Sequence, residues 1–333
     1  VRPKTIGLIV NPKSGQGAEY NLALARRLVQ ALAPEMIYTG QGQLDDTILA
    51  DIHELSVTGQ MGRSLSQALA LMIVQRGVDA LVVIGGDGTM ADVAFALYQS
   101  AAQCPILGIG AGSINAGDLV TCKANLVGEL ASADFEIKSI SALVAGCNGD
   151  DLALAFNDVV IGTTIVGTLL GNICDLDANA FMRGEQIKGI PQPIAGEMAS
   201  VVKINATKQI IVSTGKSVGT VVAGFAQNPC FFGKAIVGAV GLTSLAGIEA
   251  GCLVCEQALV CTQPDRQKHV DSEPIRSSYV SLAAEDRIEV SGLTYPAVLC
   301  ADGNPLKALQ LDDICHIRVQ PNAVSVLRIA QSN

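Results

Sequence analysis

The chain has 333 residues, a mean hydropathy of +0.40 and 49% hydrophobic residues, which supply a large core and exclude long disorder. Its formal net charge of -9, from 22 basic and 31 acidic residues, argues against a nucleic-acid or anionic-membrane surface. A small phosphorylated ligand stays open, because a nest of backbone amides binds phosphate even in an acidic protein.

The length fits two domains better than one. The ten cysteines are irregularly spaced. Cys252 and Cys255 form a CxxC inside the apolar run Ala250 to Cys255, but no second pair or histidine cluster supports zinc. Buried free thiols in a reducing cytosol are the expectation, and the location is read as cytoplasmic. Val1 to Val10 lacks the apolar run of a signal peptide, and no segment reads as a membrane span.

Thr5 to Val10 reads as a strand, ending at Asn11-Pro12-Lys13-Ser14-Gly15-Gln16-Gly17. A helix pattern from Glu19 to Leu32 follows, with Leu24, Leu28 and Leu32 on one face. Glu35 to Thr39 is a second strand. Ser64 to Arg76 is a helix closed by Gly77. Ala80 to Ile84 is an aliphatic strand, Gly85 to Thr89 a turn, and Ala91 to Ser100 a helix. Pro105 to Ile109 is another strand, and Asn115 to Leu119 starts the next turn or helix. Repeated strand-loop-helix units predict a doubly wound, Rossmann-like layer with ligands at the carboxyl ends of its strands.

The character changes after Ala133. Phe135–Ile140, Leu152–Val160, Ser200–Asn205, Gln209–Ser213, Thr220–Phe225 and Ala258–Thr262 read as strands, which predicts a second, mainly β domain. Thr163–Leu170 and Lys234–Ala250 read as helical. Ile314–Ile329 reads as a hairpin turning at Gln320-Pro321-Asn322.

Gly85-Gly86-Asp87-Gly88-Thr89 carries the strongest chemical signal. Its glycines remove side-chain bulk and let amides face phosphate oxygens. Asp87 beside phosphate needs a task, either to hold Mg2+ or to accept a proton from an attacking hydroxyl. Thr89 is suited to donate to phosphate or to cap the helix. On local physics alone, a plain strand-to-helix turn with an Asp cap competes. Neither a Walker loop, nor a Gly-x-Ser-x-Gly elbow, nor the Rossmann dinucleotide fingerprint is present.

These five residues resemble the signature loop of the superfamily of NAD kinases, diacylglycerol kinases and sphingosine kinases. Asn11 to Gly17 resembles its first nucleotide loop, in the correct order. Leu107 to Ala116 stands where that superfamily has a glycine-and-asparagine loop, here with Ser113-Ile114 before Asn115. Phe156-Asn157-Asp158 looks like its asparagine-acid pair, with Asp158 in place of the usual Glu. Ala239 to Gly247 resembles, in its place along the chain, the NAD kinase glycine-serine-threonine-alanine-tyrosine loop but lacks its Tyr. The turn Ala301-Asp302-Gly303 looks like the NAD kinase ending. Asp151 to Ala155 and the apolar loop Gly238 to Gly247 bring the pattern nearest to the AcoX-like (acetoin catabolism protein X) branch.

The resemblance implies an NAD kinase-like α/β fold. A nucleotide-binding domain would comprise residues 1–133 with a returning tail, 306–333, and a mainly β acceptor-side domain residues 134–305. It implies ATP-dependent phosphoryl transfer, with Mg2+, to a hydroxyl of a small molecule, NAD among the candidates, by a homo-oligomer. Asp87 would be the catalytic acid and contact Mg2+. Asn11, Lys13, Ser14, Gly85, Gly86, Gly88, Thr89, Gly112 and Asn115 would bind the donor, and Asn157, Asp158, Thr243, Ser244 and Asp302 the acceptor.

Overall fold

The computed structural model describes residues 2–44, 51–112, 115, 117–169, 172–225, 243, 247–258, 274, 276–294 and 297–330. The chain forms two compact units, Val1–Ala142 with Pro321–Asn333, and Leu143–Gln320.

The first unit alternates strand and helix: β1 (Thr5–Val10), α1 (Ala18–Leu32), β2 (Met36–Gly40), β3 (Asp51–Leu55), α2 (Arg63–Val74), β4 (Ala80–Gly85), α3 (Asp87–Ser100), β5 (Ile106–Gly110) and β6 (Val120–Lys123), then a 3-10 helix (Ala124–Ser132). Neighbouring strands are parallel in the order β5-β4-β1-β2-β3, with β6 also on β5. Strands covered on both faces must be apolar throughout, and β4 and β5 are buried at every position. Helix α1 turns Leu24, Ala25, Leu28, Val29 and Leu32 inward, at i, i+3 and i+4 spacing. The strand order reverses between β1 and β4. Their carboxyl ends flank the topological switch point, where this architecture leaves a crevice.

The second unit is mainly β. In chain order its elements are β7 (Phe135–Cys147, entering from the first unit), β8 (Asp150–Ala155), β9 (Asp158–Gly162), β10 (Thr164–Leu169), β11 (Asn172–Asp177), the single-turn α4 (Ala178–Met182), β12 (Ser200–Ile204), β13 (Gln209–Thr214), β14 (Thr220–Phe225), β15 (Ala250–Cys255), β16 (Ser277–Leu282), β17 (Arg287–Ser291), β18 (Val298–Ala301), β19 (Asn304–Ala308) and β20 (Cys315–Ile329). An antiparallel sheet runs β16-β15-β14-β9-β18-β19, while β12, β13 and β17 line up beside the first part of β20. Their inward side chains, Leu143, Ile161, Val221, Ile288 and Ile317 among them, form one core.

Several expectations need correction. Within Thr163–Leu170, Thr164–Leu169 is strand β10, not helix: β-branched Thr164, Ile165 and Val166 favour a pleated backbone, and the segment pairs antiparallel with β11. Leu152–Val160 is two strands, because the amides of Phe156, Asn157 and Asp158 donate to the Asp302 carboxylate instead of to a ladder. The hairpin foreseen in Ile314–Ile329 is one strand that changes partner. Cys315 to Arg318 pair with β17 and Val326 pairs parallel with β5. Pro321, which has no N–H to give, and Asn322, at φ 49, stand exposed at the exchange. Helix α3 starts at Asp87, earlier than Ala91, with Gly86 as its extended N-cap. Strand β3 was not foreseen. The helix read into Lys234–Ala250 lies largely outside the described residues, and Ala250 itself opens β15; of Ala258–Thr262 only Ala258 is described.

The described cysteines are free thiols, buried except for the half-buried Cys174. Cys252 and Cys255 sit in β15, where burial pushes their pKa values to about 12 and about 11, so this CxxC is part of the core and not a thiolate site.

Candidate active site

Three loops at the carboxyl ends of β1, β4 and β5 build the first cluster. Register sets Val10 beside Ile84 and Gly85 beside Gly110. Asn11 N–H donates to the Ile84 carbonyl (2.9 Å), and Ala111 N–H to the Gly85 carbonyl (2.8 Å), so the strand ladder continues into the loops. The backbones then touch. A Cβ on Gly112 would stand 2.6 Å from Gly86 Cα, and one on Gly15, at φ +55, would stand 1.8 Å from Ala111 O. Glycine is required at these positions for contact as well as for backbone angle.

Side chains lock the loops. Asn11 Nδ2 donates to Thr89 Oγ1 (2.7 Å), joining the first loop to α3, and Asn11 Oδ1 accepts Lys13 N–H (3.0 Å) in an Asx turn. Asn115, at φ 54, folds back on Gly112: its Oδ1 accepts Gly112 N–H (2.7 Å) and its Nδ2 donates to Gly112 O (2.6 Å). Asp87 Oδ1 accepts Gly117 N–H (3.0 Å). Asp87 and Gly88 open α3, whose intrahelical bonds begin with Thr89 N–H to Gly86 O. The positive end of a 14-residue helix therefore lies at the loop junction.

Ser14 is buried, and its Oγ has no hydrogen-bond partner. A buried hydroxyl without a partner costs on the order of 1–3 kcal/mol. Its position, 3.9 Å from where a Cβ on Gly86 would sit, places it over the glycine turn. Lys13 is exposed. The structure thus brings together Asn11, Ser14, Gly85, Gly86, Asp87, Gly88, Thr89, Gly112 and Asn115, with Lys13 on the rim.

The second cluster belongs to the other unit. Asp302, at φ 46, and Gly303, at φ 75, form the tight turn between β18 and β19. The Asp302 carboxylate accepts three amides: Phe156 N (2.8 Å) on Oδ2, and Asn157 N (2.8 Å) and Asp158 N (3.1 Å) on Oδ1. Asp302 N–H returns a bond to Asp158 O (2.9 Å). Asp158 keeps some solvent contact, but desolvation, and next the Asp302 charge, push its pKa to about 7.

Asp158, Gly224 and Gly251 lie in one row across β9, β14 and β15, and so share a sheet face. Over Gly251 stand Thr243 Oγ1, 3.1 Å from where its Cβ would be, and Tyr279 OH, at 2.7 Å. Both hydroxyls are buried without a partner. Thr243 is therefore on the Asp158 face but two strands away. Tyr279 was missed by sequence reasoning; only its place in a strand paired with β15 reveals it. Ser244 lies outside the described residues. Arg183 and Glu185 are half-exposed partners of each other at 3.4 Å, and Lys188 is exposed.

Residues 5–122 match the family model of the diacylglycerol kinase catalytic domain. Through this segment the chain is similar to that catalytic domain. That domain is a kinase catalytic domain, and the chain is a kinase-like phosphotransferase. An uncharacterized protein of Archaeoglobus fulgidus is 25% identical over 306 residues, covering 90% of this chain and 91% of its own. A diacylglycerol kinase structure from Bacillus anthracis covers 98% of this chain and 97% of its own, at 14% identity and a TM-score of 0.51, which shows a shared fold. A yeast NADH kinase complexed with NADH aligns with 11% identity and a TM-score of 0.49, over 100% of this chain and 84% of its own.

Among the described residues, no group of three or more His, Cys, Asp and Glu could hold a metal ion, and no helix is long and apolar enough to cross a membrane. The carboxylate held in the junction by the contacts above is that of Asp87; Asp118, in the loop after β5, is exposed. One carboxylate suits Mg2+ that arrives on substrate phosphates and does not suit a resident metal.

Proposed function

We propose that this protein transfers the terminal phosphoryl group of ATP to a hydroxyl of a small molecule. The observation that carries the reading is the three-loop junction, where glycine backbones are in contact and the Ser14 hydroxyl is buried without a partner. A triphosphate offers an acceptor for Ser14 Oγ, and the start of α3 favours its negative charge beside that of Asp87 once Mg2+ offsets the two. Mg2+ bound to that triphosphate supplies charge neutralisation at the transferred group. The protein's own part is positioning. Gly85, Gly86, Gly88 and Thr89 hold the phosphates, Asn11 fixes Thr89, and Lys13 adds an exposed positive charge at the rim. Asp87, kept in place by the Gly117 amide, contacts the Mg2+ or takes the proton of the attacking hydroxyl.

Asn157 and Asp158 are the acceptor-side groups in this reading. With a pKa near 7, Asp158 is suited both to donate and to accept a hydrogen bond around neutral pH. Asp302 acts through them as a positioning residue, since its oxygens take three backbone amides. In this reading Thr243 and Ser244 complete that side. The AcoX-like branch is our assignment within the superfamily, on Asp151 to Ala155 and the loop Gly238 to Gly247.

The test is ATP consumption with Mg2+ across an acceptor panel: NAD, because of the sequence resemblance, diacylglycerol, because the family model and the Bacillus anthracis structure carry that name, and short hydroxylated metabolites. ATP binding with turnover on one acceptor class establishes the reading. ATP binding with no turnover on any member makes the protein a nucleotide sensor instead. Sedimentation in the same buffer tests the homo-oligomer.

A further inference from the structure

Asn21 stands on the buried face of α1, in line with Leu24, Ala25 and Leu28, and is 0% exposed. A Leu at this position would continue the apolar stripe and suit the helix better. The side chain instead reaches back into the first loop. Its Nδ2 donates to Asn11 O (2.8 Å) and to Ser14 O (2.9 Å). The reverse amide orientation would set Oδ1 against two carbonyls, so the network fixes which atom is nitrogen. Oδ1 is left buried without a partner, a cost the fold carries at this point.

The two captured carbonyls are the pivots of the loop. Asn11 O also accepts Ser14 N–H (3.2 Å), and Ser14 O also accepts Gly17 N–H (3.1 Å). Carbonyl oxygens facing a phosphate repel it, and amides attract it. A donor that pins the carbonyls toward the core fixes a loop in which Pro12 has no N–H and the Lys13, Ser14 and Gly17 amides bond internally, so that the Gly15 and Gln16 amides are the ones left to offer a phosphate. The same contact sets the Ser14 backbone, and with it the direction of the unpartnered Ser14 hydroxyl.

We infer that Asn21 is a positioning residue for the donor site, holding Asn11–Gly17 in the conformation that receives the nucleotide phosphates. The inference rests on the nucleotide reading proposed above. It assigns Asn21 no contact with the ligand.

The test compares wild type with Asn21→Leu and Asn21→Ala in the full chain. Mg-ATP dissociation constants are measured by titration calorimetry, and amide exchange at Ser14 and Gly17 without ligand. The expected result is a dissociation constant at least tenfold weaker in both variants, with Ser14 and Gly17 exchanging at least tenfold faster. Where turnover is measurable, KM for ATP rises and kcat changes less than threefold. ATP affinity within twofold of wild type in a folded variant overturns the proposal. Unchanged exchange at Ser14 and Gly17 overturns it as well, whatever the affinity. If the leucine variant does not fold, the smaller alanine variant decides. Wild type that fails to bind Mg-ATP sinks the nucleotide reading instead, and the exchange result still says whether Asn21 sets the loop.

Discussion

Asp87 Oδ1 accepts the Gly117 amide, and an asparagine there keeps an oxygen for that bond. Asp87→Asn should therefore fold, bind Mg-ATP within about tenfold of wild type, and lose at least about a hundredfold in transfer rate, the lower end of what a proton acceptor or charge-stabilising group supplies. Unchanged turnover in a coupled ATP assay removes Asp87 from the chemistry. Asp158 yields a pH prediction. Its folded pKa is about 7, while an unfolded aspartate ionises near ~3.9. Between those values the unfolded chain releases a proton that the folded chain keeps, so stability falls as pH rises through this window and levels off above about 7. Asp158→Asn removes the titration. Its melting temperature relative to wild type should climb from pH 5 to pH 8; a constant difference across that range means that the carboxyl titrates normally. Asp302→Asn retains an acceptor oxygen and removes the neighbouring charge, so it should lower the Asp158 pKa, read from the carboxyl carbon shift during a pH titration.

At the level of elements, the loops after β1, β4 and β5 behave as one packed object. Gly15→Ala would put a methyl 1.8 Å from Ala111 O at a φ of +55, combining a steric clash with a left-handed angle. Overpacking of this kind costs about 1–3 kcal/mol, and the shifted loop should also weaken Mg-ATP by tenfold or more. Gly17→Ala is the control: it also has positive φ, 96, but nothing lies within 4 Å of the added methyl, so it should lose stability and keep more of its ATP affinity. Equal affinity losses in the two variants would show that contact between the loops does not matter. These loops were legible because each follows a short, largely aliphatic strand and carries glycines in the turn that follows it. The break at Phe156-Asn157 was not legible. The acceptor that ends β8 is Asp302, 144 to 146 residues away. Thr164–Leu169 was misread for a related reason: a short apolar run fits either period until its partner strand is known. Asn21 was passed over because a polar residue early in a helix has an ordinary local explanation, whereas its two carbonyl contacts are tertiary.

At the scale of the molecule, the alternating β and α pattern pointed to a doubly wound unit, and clustered short strands pointed to a β-rich one. The exact strand order was outside reach, because β20 serves β17 with its first residues and β5 with Val326. That division gives a test on the whole chain. A ligand that binds only the native state raises the free energy of opening by RT ln(1 + [L]/Kd), about 2.7 kcal/mol at a hundredfold excess over Kd. Protection should rise first where the ligand touches the protein. Saturating Mg-ATP should slow amide exchange in peptides spanning 11–21, 85–90 and 110–117. Peptides spanning 154–162 and 300–304, in the other unit, should stay within twofold of their apo rates. Adding the correct acceptor should then slow exchange around 154–162 as well. An acceptor that is turned over but leaves those peptides unchanged would move the acceptor site away from Asn157 and Asp158. Protection of those peptides by ATP alone would mean that the nucleotide itself engages the Asp158 cluster, and the donor and acceptor roles given to the two clusters would have to be redrawn.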